Sequence, residues 1–379
     1  MKIAFLGPAY PHRGGIAQFI AILAEKLAQR GHRVRIYSFV KQYPKFLFPG
    51  KAQSDPSRMV LSLDIKPVLT PYNPFTWMPA ARKIAAWKPD ILILKYWIPF
   101  FAPAFGVIVR LLKRFTRIRV VYIIDNIEFH EKWPLADWWT KFALAKADTL
   151  ITMSDSVTQS ARSLLENFDN ERIAKLRHPN YDFYTHSESD LSEFKKQLHI
   201  TDEPVILFFG YIKPYKGLDV LLEAMPSILT ELPNAKLLVA GEVYGDERVY
   251  TDRIEKWHLK ENVIFHNRFI SNEEVGKYFL SSDVVVLPYR SATQSGITQL
   301  AFSFDTPVIS TDVGGLSEAV KEAENGFLVE PESSGALARA VVRYFKEHCR
   351  ERFTCAIQQE KQRYSWDPLI TALTSSLSS

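Results

Sequence analysis

One local pattern occurs twice in this chain and restricts its fold more than any other feature. "KIAFLG" is a short apolar run closed by Gly7. The loop "PAYPHRGG" follows, and then Ile16, Phe19, Ile20, Leu23 and Leu27 recur at helical spacing as far as Gly31. "HRVRIYSFV" supplies the next strand. Much later "PVILFFG" closes at Gly210, the loop "YIKPYKG" follows, and Leu218, Leu221, Leu222 and Met225 line another helix. A buried strand, a glycine loop and a helix leading back to a strand open a doubly wound α/β domain. The chain therefore reads as two such units.

Further strands are expected at "DILILKY", "VVYIID" and "TLITMS" in the first unit. In the second they fall at "AKLLVAGE", "NVIFHNRF", "DVVVLPY", "TPVIST" and "NGFLVE". A length of 379 residues suits two domains, and 47% apolar with 13% aromatic residues is ample for two cores. The polar, unpatterned "THSESDLSEF" is the expected linker, which sets domains at 1–185 and 186–363. The closing "YSWDPLITALTSSL" reads as a last helix, over 364–379.

Cys349 and Cys355, six apart on a helix, point to different faces, so neither a disulfide nor a metal site is implied. That fits a reducing cytoplasm. The apolar start breaks at Gly7 and Pro8, too early for a secretory signal. The longest apolar run, "YWIPFFAPAFGVIV", falls short of the roughly 20 residues of a spanning helix. A soluble, cytoplasmic protein is expected, at most peripheral on the inner face of a membrane. The net charge of +5 conceals a division: residues 1–185 carry 27 Lys/Arg against 14 Asp/Glu, and the remainder carries 20 against 28. The division reads either as a solvated surface with uneven charge or as an anion-seeking surface in the first half. Its densest part, "RLLKRFTRIRV" with Arg110, Lys113, Arg114, Arg117 and Arg119, interleaves Leu111, Leu112 and Phe115. It reads either as contact with an anionic membrane or as a helix burying its apolar face.

Open α/β sheets bind ligands at the carboxyl ends of their strands. There "RGGIAQF" places Gly15 at a helix N-terminus, which favours anions. The G-x-G-x-x-G fingerprint is absent, and no acid ends the second strand, which disfavours a nicotinamide cofactor. Lys213 and Lys216 lie in the loop after "PVILFFG", and Arg290 in the loop after "DVVVLP". With the amides of Ser295, Gly296 and Ile297 they suit a diphosphate. No D-x-D pair is present, so basic side chains and amides, and no metal, would stabilise a leaving diphosphate. In "DNIEFHE", Asp125 could orient an acceptor hydroxyl, take its proton, or cap a helix. His130 is a second candidate in the same loop.

The second half resembles retaining glycosyltransferases of the GT-B fold, family 4. The residues that carry this are "FFGYIKPYKGLDVLLEA", "LLVAGE", "VIFHNRFISNEEVGKYFLSSDVVVLPY", "TPVISTDVGGLSEAV" and "NGFLV". The first half agrees through "GPAYPHRGGIAQF", "KPDILILKYWIPFFAPAFG", "IIDNIEFHEKWPLADWW" and "RHPNYDFY". The resemblance implies two facing Rossmann-like domains with a cleft between them and the last helix crossing back to the first. It implies a nucleotide-sugar donor on the second domain and an acceptor mainly on the first. No further cofactor is implied; the donor would be a UDP- or GDP-sugar. The acceptor would be a glycan or lipid-linked saccharide, as in polysaccharide biosynthesis, and no nucleic acid is implied. Arg268 joins the donor side, and Asp125 stands where relatives often have a histidine.

Two departures matter. Tyr211 stands where the family usually has an arginine, although Lys216 keeps the lysine. The family's paired glutamates, eight apart, fall on Ala292 and Leu300 here, leaving Gln294, Ser295 and Gln299 as neutral hydrogen-bonding groups. A hexosyltransferase acting with retention is the expectation. The alternatives are a silent GT-B protein that binds a glycan or partner, and a nucleotide-sugar epimerase on the same architecture.

Overall fold

The computed structural model describes all residues except 45–51, 56, 58–61, 128–134, 182–183, 185–187, 294 and 376–379. The chain divides into two units, Met1–Arg177 with Trp366–Ser379, and His178–Ser365.

The first unit runs β1 (Lys2–Leu6), α1 (Gly15–Gln29), β2 (Arg33–Phe39), β3 (Asp64–Leu69), α2 (Trp77–Trp87), β4 (Ile91–Tyr96) and α3 (Ala102–Phe115). It continues with β5 (Arg119–Ile124), α4 (Ala136–Leu144), β6 (Thr149–Thr152), α5 (Asp155–Leu164) and β7 (Ile173–Lys175). Its seven strands are all parallel, in the order β3-β2-β1-β4-β5-β6-β7. A parallel sheet covered by helices on both faces needs strands that are apolar throughout. β4, with all six residues buried, meets that demand except at Lys95.

The second unit runs α6 (Glu188–Gln197), β8 (Val205–Phe209), α7 (Leu218–Glu231), β9 (Lys236–Ala240), α8 (Arg248–Lys256), β10 (Val263–His266) and α9 (Asn272–Leu280). Then come β11 (Val284–Leu287), α10 (Gly296–Ser303), β12 (Val308–Thr311), α11 (Leu316–Ala319), β13 (Gly326–Val329), α12 (Ser334–Lys346) and α13 (Cys349–Glu360). Six parallel strands take the order β10-β9-β8-β11-β12-β13. α14 (Asp367–Thr374) belongs to the first unit. There the Trp366 ring packs 4.9 Å from Phe19, Asp367 pairs with Arg30, and Arg119 donates to the Leu373 carbonyl.

The structure corrects the sequence reading in three places. The segment read as a linker contains a helix, α6, whose Phe194 ring packs 4.9 Å from Tyr278. β3 and β7 were not expected: both are edge strands, the first interrupted by Pro67 and the second three residues long. The basic stretch 110–119 is not one helix, because α3 ends at Phe115 and Arg119 opens β5. Arg110 stacks on the Phe142 ring and donates to the Gly106 and Phe142 carbonyls. Lys113 pairs with Asp148, and Arg119 donates to Thr149. Leu112 is buried, and Leu111 packs against the core.

Candidate active site

In each sheet the strand order reverses once, between β1 and β4 and between β8 and β11. The loops leaving the carboxyl ends of those strands border a crevice, and open α/β sheets bind ligands there.

In the second unit the two loops at this point are laced together. Gly217 has φ 68°, and a Cβ on it would lie 1.9 Å from the Pro288 carbonyl oxygen, so glycine alone permits the approach. The Arg290 amide donates to the Tyr215 carbonyl at 2.7 Å. Lys216 is thereby set beneath the crevice with 8% exposure, its ammonium 5.4 Å from the centre of the Tyr289 ring. A methyl built on Gly210 would lie 3.2 Å from both Lys216 Nζ and Ile297 Cδ1, which shows how closely the lysine approaches the start of α10. Among the described residues no carboxylate lies within ion-pairing distance of Lys216, and burial pushes its pKa down. α10 starts without a side-chain cap and has no acid in its first turn. Thr298 Oγ1 and Gln299 Oε1 are buried in that turn with no hydrogen-bond partner among the described residues. A buried cation without a counter-ion, uncapped helix amides and unsatisfied acceptors are costly unless a ligand completes them.

Ser295, Gly296 and Ile297 thus gather with Lys216 and Gln299, while Gln294 lies outside the described residues. Lys213 and Tyr211 lie nearby at the end of β8. The Tyr211 and Tyr244 rings are 4.8 Å apart, with Lys213 Nζ 5.5 Å from Tyr244. Arg290 and Arg268 are engaged otherwise. Arg290 grips both oxygens of Asp219, at 3.0 and 2.8 Å, and also meets Glu332 at 3.0 Å and the Pro214 carbonyl at 2.6 Å. Those contacts raise its pKa further. Arg268 holds Glu274, the acid of the capping box that starts α9.

In the first unit Gly15 opens α1 at the carboxyl end of β1, with open space beside its Cα. Asp125 directly follows β5, and its amide extends the sheet by donating to the Tyr96 carbonyl at 2.8 Å. Its carboxylate accepts from Lys95 Nζ at 2.7 Å. His130 lies outside the described residues. Lys95 escaped the sequence reading, although its signal is there: one cation within an otherwise apolar strand. Asp219 and Glu332 gave no such sign.

Residues 190–361 match the family described as "Glycosyl transferases group 1", and residues 14–176 match "Glycosyl transferase 4-like domain". The chain belongs to the group 1 glycosyltransferases. An uncharacterized glycosyltransferase of Methanocaldococcus jannaschii is 27% identical over 97% of this chain and 95% of its own. The phosphatidyl-myo-inositol mannosyltransferase of Mycobacterium leprae is 30% identical over 42% of each. HepE of Anabaena, solved in complex with UDP, aligns over the whole of both chains with a TM-score of 0.75 and 19% identity. Two parallel Rossmann-like sheets of this kind are the GT-B fold, and the switch-point loops of this glycosyltransferase carry the features described above.

Proposed function

We propose that the protein moves a hexosyl group from a nucleoside diphosphate sugar to a hydroxyl of a glycan or lipid-linked saccharide, with retention and without a metal. The observation that carries this is Lys216, a buried ammonium with no carboxylate partner among the described residues, beside the uncapped start of α10. In this reading Lys216 and the amides at Ser295, Gly296 and Ile297 hold the diphosphate. Gln294 and Gln299 read hydroxyls where relatives use acids, and Tyr211 and Lys213 flank the donor. The anomeric C–O bond to the diphosphate breaks, a C–O bond to the acceptor forms, and the hydroxyl proton neutralises the departing diphosphate. Lys216 acts by stabilising the charge that develops on that leaving group. HepE, solved with UDP and with UDP-glucose, supports a uridine donor as the first to test. Retention follows from the resemblance to family 4. Metal independence follows from the absence of a D-x-D pair in the sequence and from the basic loops that would take its place.

The second reading, a silent binding protein, draws on Ala292 and Leu300 standing where the family has glutamates. A thermal-shift panel of UDP-, GDP- and ADP-sugars, followed by assay of nucleoside diphosphate release, separates the two. Transfer requires stabilisation and release, stabilisation without release favours the silent reading, and no stabilisation by any of these donors overturns transfer.

The acceptor side is best read as working at an anionic membrane surface. Asp90 is the sole acid between Asp64 and Asp125, against ten Lys and Arg. Tyr72, Phe75 and Met78 are exposed on the loop before α2 and on its first turn, beside exposed Arg82 and Lys83. Aromatic tips flanked by cations suit the headgroup region. The relative from Mycobacterium leprae, named for a phosphatidylinositol acceptor, supports the same placement.

A further inference from the structure

We propose that Lys95 is a positioning residue, fixing the Asp125 carboxylate so that it orients the attacking hydroxyl. This rests on the reading that the first unit binds the acceptor.

Lys95 is the fifth residue of β4 and Asp125 the first residue after β5, with Lys95 paired to Ile123 and Tyr96 to Ile124 across the two strands. The ammonium is 2.7 Å from one oxygen of Asp125 and 3.5 Å from the centre of the Phe19 ring. Lys95 is 3% exposed and Asp125 14%, so the carboxylate is the member nearer to solvent. The pair stands next to β1, where the strand order reverses and where Gly15 starts α1.

Stability does not account for it. Every other residue of β4 is apolar or aromatic and buried, and a buried ion pair is seldom more stable than apolar side chains of the same volume. What the pair supplies is definition. Asp125 is held through its amide to Tyr96 and through its carboxylate to Lys95, while the Phe19 face, itself packed on Trp366, holds the ammonium from another direction. A carboxylate accepts several hydrogen bonds, so one that is fixed by an ammonium remains a good acceptor for a hydroxyl. Its chemistry therefore suits orienting a hydroxyl. Beside it Asn126 Oδ1 is buried with no partner among the described residues, a second acceptor available to a polyhydroxyl ligand.

The test uses the full chain and follows UDP release from UDP-glucose with water as acceptor, alongside UDP affinity and melting temperature. Lys95→Met should lower kcat about tenfold or more, as misplacing a reacting group does, while UDP affinity is unchanged. Lys95→Arg, which keeps the cation, should retain more turnover than Lys95→Met. The double variant Lys95→Met/Asp125→Asn removes both charges, so its melting temperature should recover while its kcat stays low. Recovery of both in the double variant, or wild-type kcat in Lys95→Met, would overturn the positioning role. Full turnover in Asp125→Asn would instead remove Asp125 from the acceptor side. A wild-type chain that releases no nucleoside diphosphate from UDP-, GDP- or ADP-sugars would overturn the transferase reading itself.

Discussion

Arg290 binds both oxygens of Asp219, at 3.0 and 2.8 Å, and so ties the loop after β11 to the first turn of α7. The same guanidinium reaches Glu332 and the Pro214 carbonyl. From this geometry we predict that Arg290 braces the crevice, which leaves Lys213 as the substitute for the arginine absent at Tyr211. Arg290→Ala should cost about 1–3 kcal/mol, because bidentate charge-assisted bonds are lost and Asp219 is left half-buried. That corresponds to a melting point lower by roughly 2–10 °C. Asp219→Asn should show a smaller loss in the same direction. A melt of Arg290→Ala unchanged from wild type, with UDP affinity lost, would instead mark Arg290 as a phosphate ligand.

Lys216 makes the opposite prediction. With no carboxylate among the described residues to strand, Lys216→Met should leave the melting temperature unchanged or raise it, since a desolvated cation is replaced by an apolar side chain of similar length. Nucleoside diphosphate affinity should fall about tenfold or more, as a charge-assisted contact of roughly 1.5–3 kcal/mol is removed. Isothermal titration with UDP beside a thermal melt checks both. A large loss of stability with affinity intact would assign Lys216 to the fold.

Much of this is legible in the sequence, for a physical reason. β1, β5, β8, β9 and β11 are buried on both faces, so beyond their first residue they appear as apolar runs closed by Gly, Asp or Pro, and β4 is an apolar run broken only by Lys95. β3 is half-exposed and carries Lys66 and Pro67, so it shows no such run. α6 is a polar helix with one buried aromatic, Phe194, and short polar segments do not announce their period. Lys216 and the 295–297 amides were readable because a loop after a strand has a known place. The Lys95–Asp125 and Arg290–Asp219 pairs were not, because strand register and loop lacing bring together residues that no sequence spacing relates.

Acid should loosen the second unit through Glu274. Hydrogen bonding to Arg268 holds its carboxyl down at about 2; burial opposes this, and Ser271 contributes in the same direction as Arg268. Because the folded pKa lies below the unfolded value of 4.5, the contribution is complete above that pH and is lost as pH falls towards 2. After allowance for solvent around the pair, the amount is about 1–2 kcal/mol. Glu274→Gln should therefore be less stable at neutral pH, and its stability should fall less steeply between pH 4.5 and 2. Urea melts across that range decide it: parallel wild-type and variant curves would show that the pair contributes nothing.

The membrane reading has a specific address. Three of the five cations in the stretch 110–119 are already engaged, Arg110 on Phe142, Lys113 on Asp148 and Arg119 on Thr149, so that stretch has little charge left for lipid. The loop before α2 differs: Phe75 is 89% exposed, and Arg82 and Lys83 are exposed four and five residues beyond Met78. Each cation near an anionic surface contributes about 1 kcal/mol, and a shallow aromatic adds apolar burial. Flotation with phosphatidylglycerol vesicles at low salt should carry the protein upward, and added salt should release it. Arg82→Glu/Lys83→Glu should weaken flotation strongly and Phe75→Ser measurably, while Arg114→Glu/Arg117→Glu should have the smaller effect. If the 114/117 variant loses more than the 82/83 variant, the contact lies at the far end of α3. If the protein stays equally in the soluble fraction with and without phosphatidylglycerol vesicles at low salt, a soluble acceptor is the better reading.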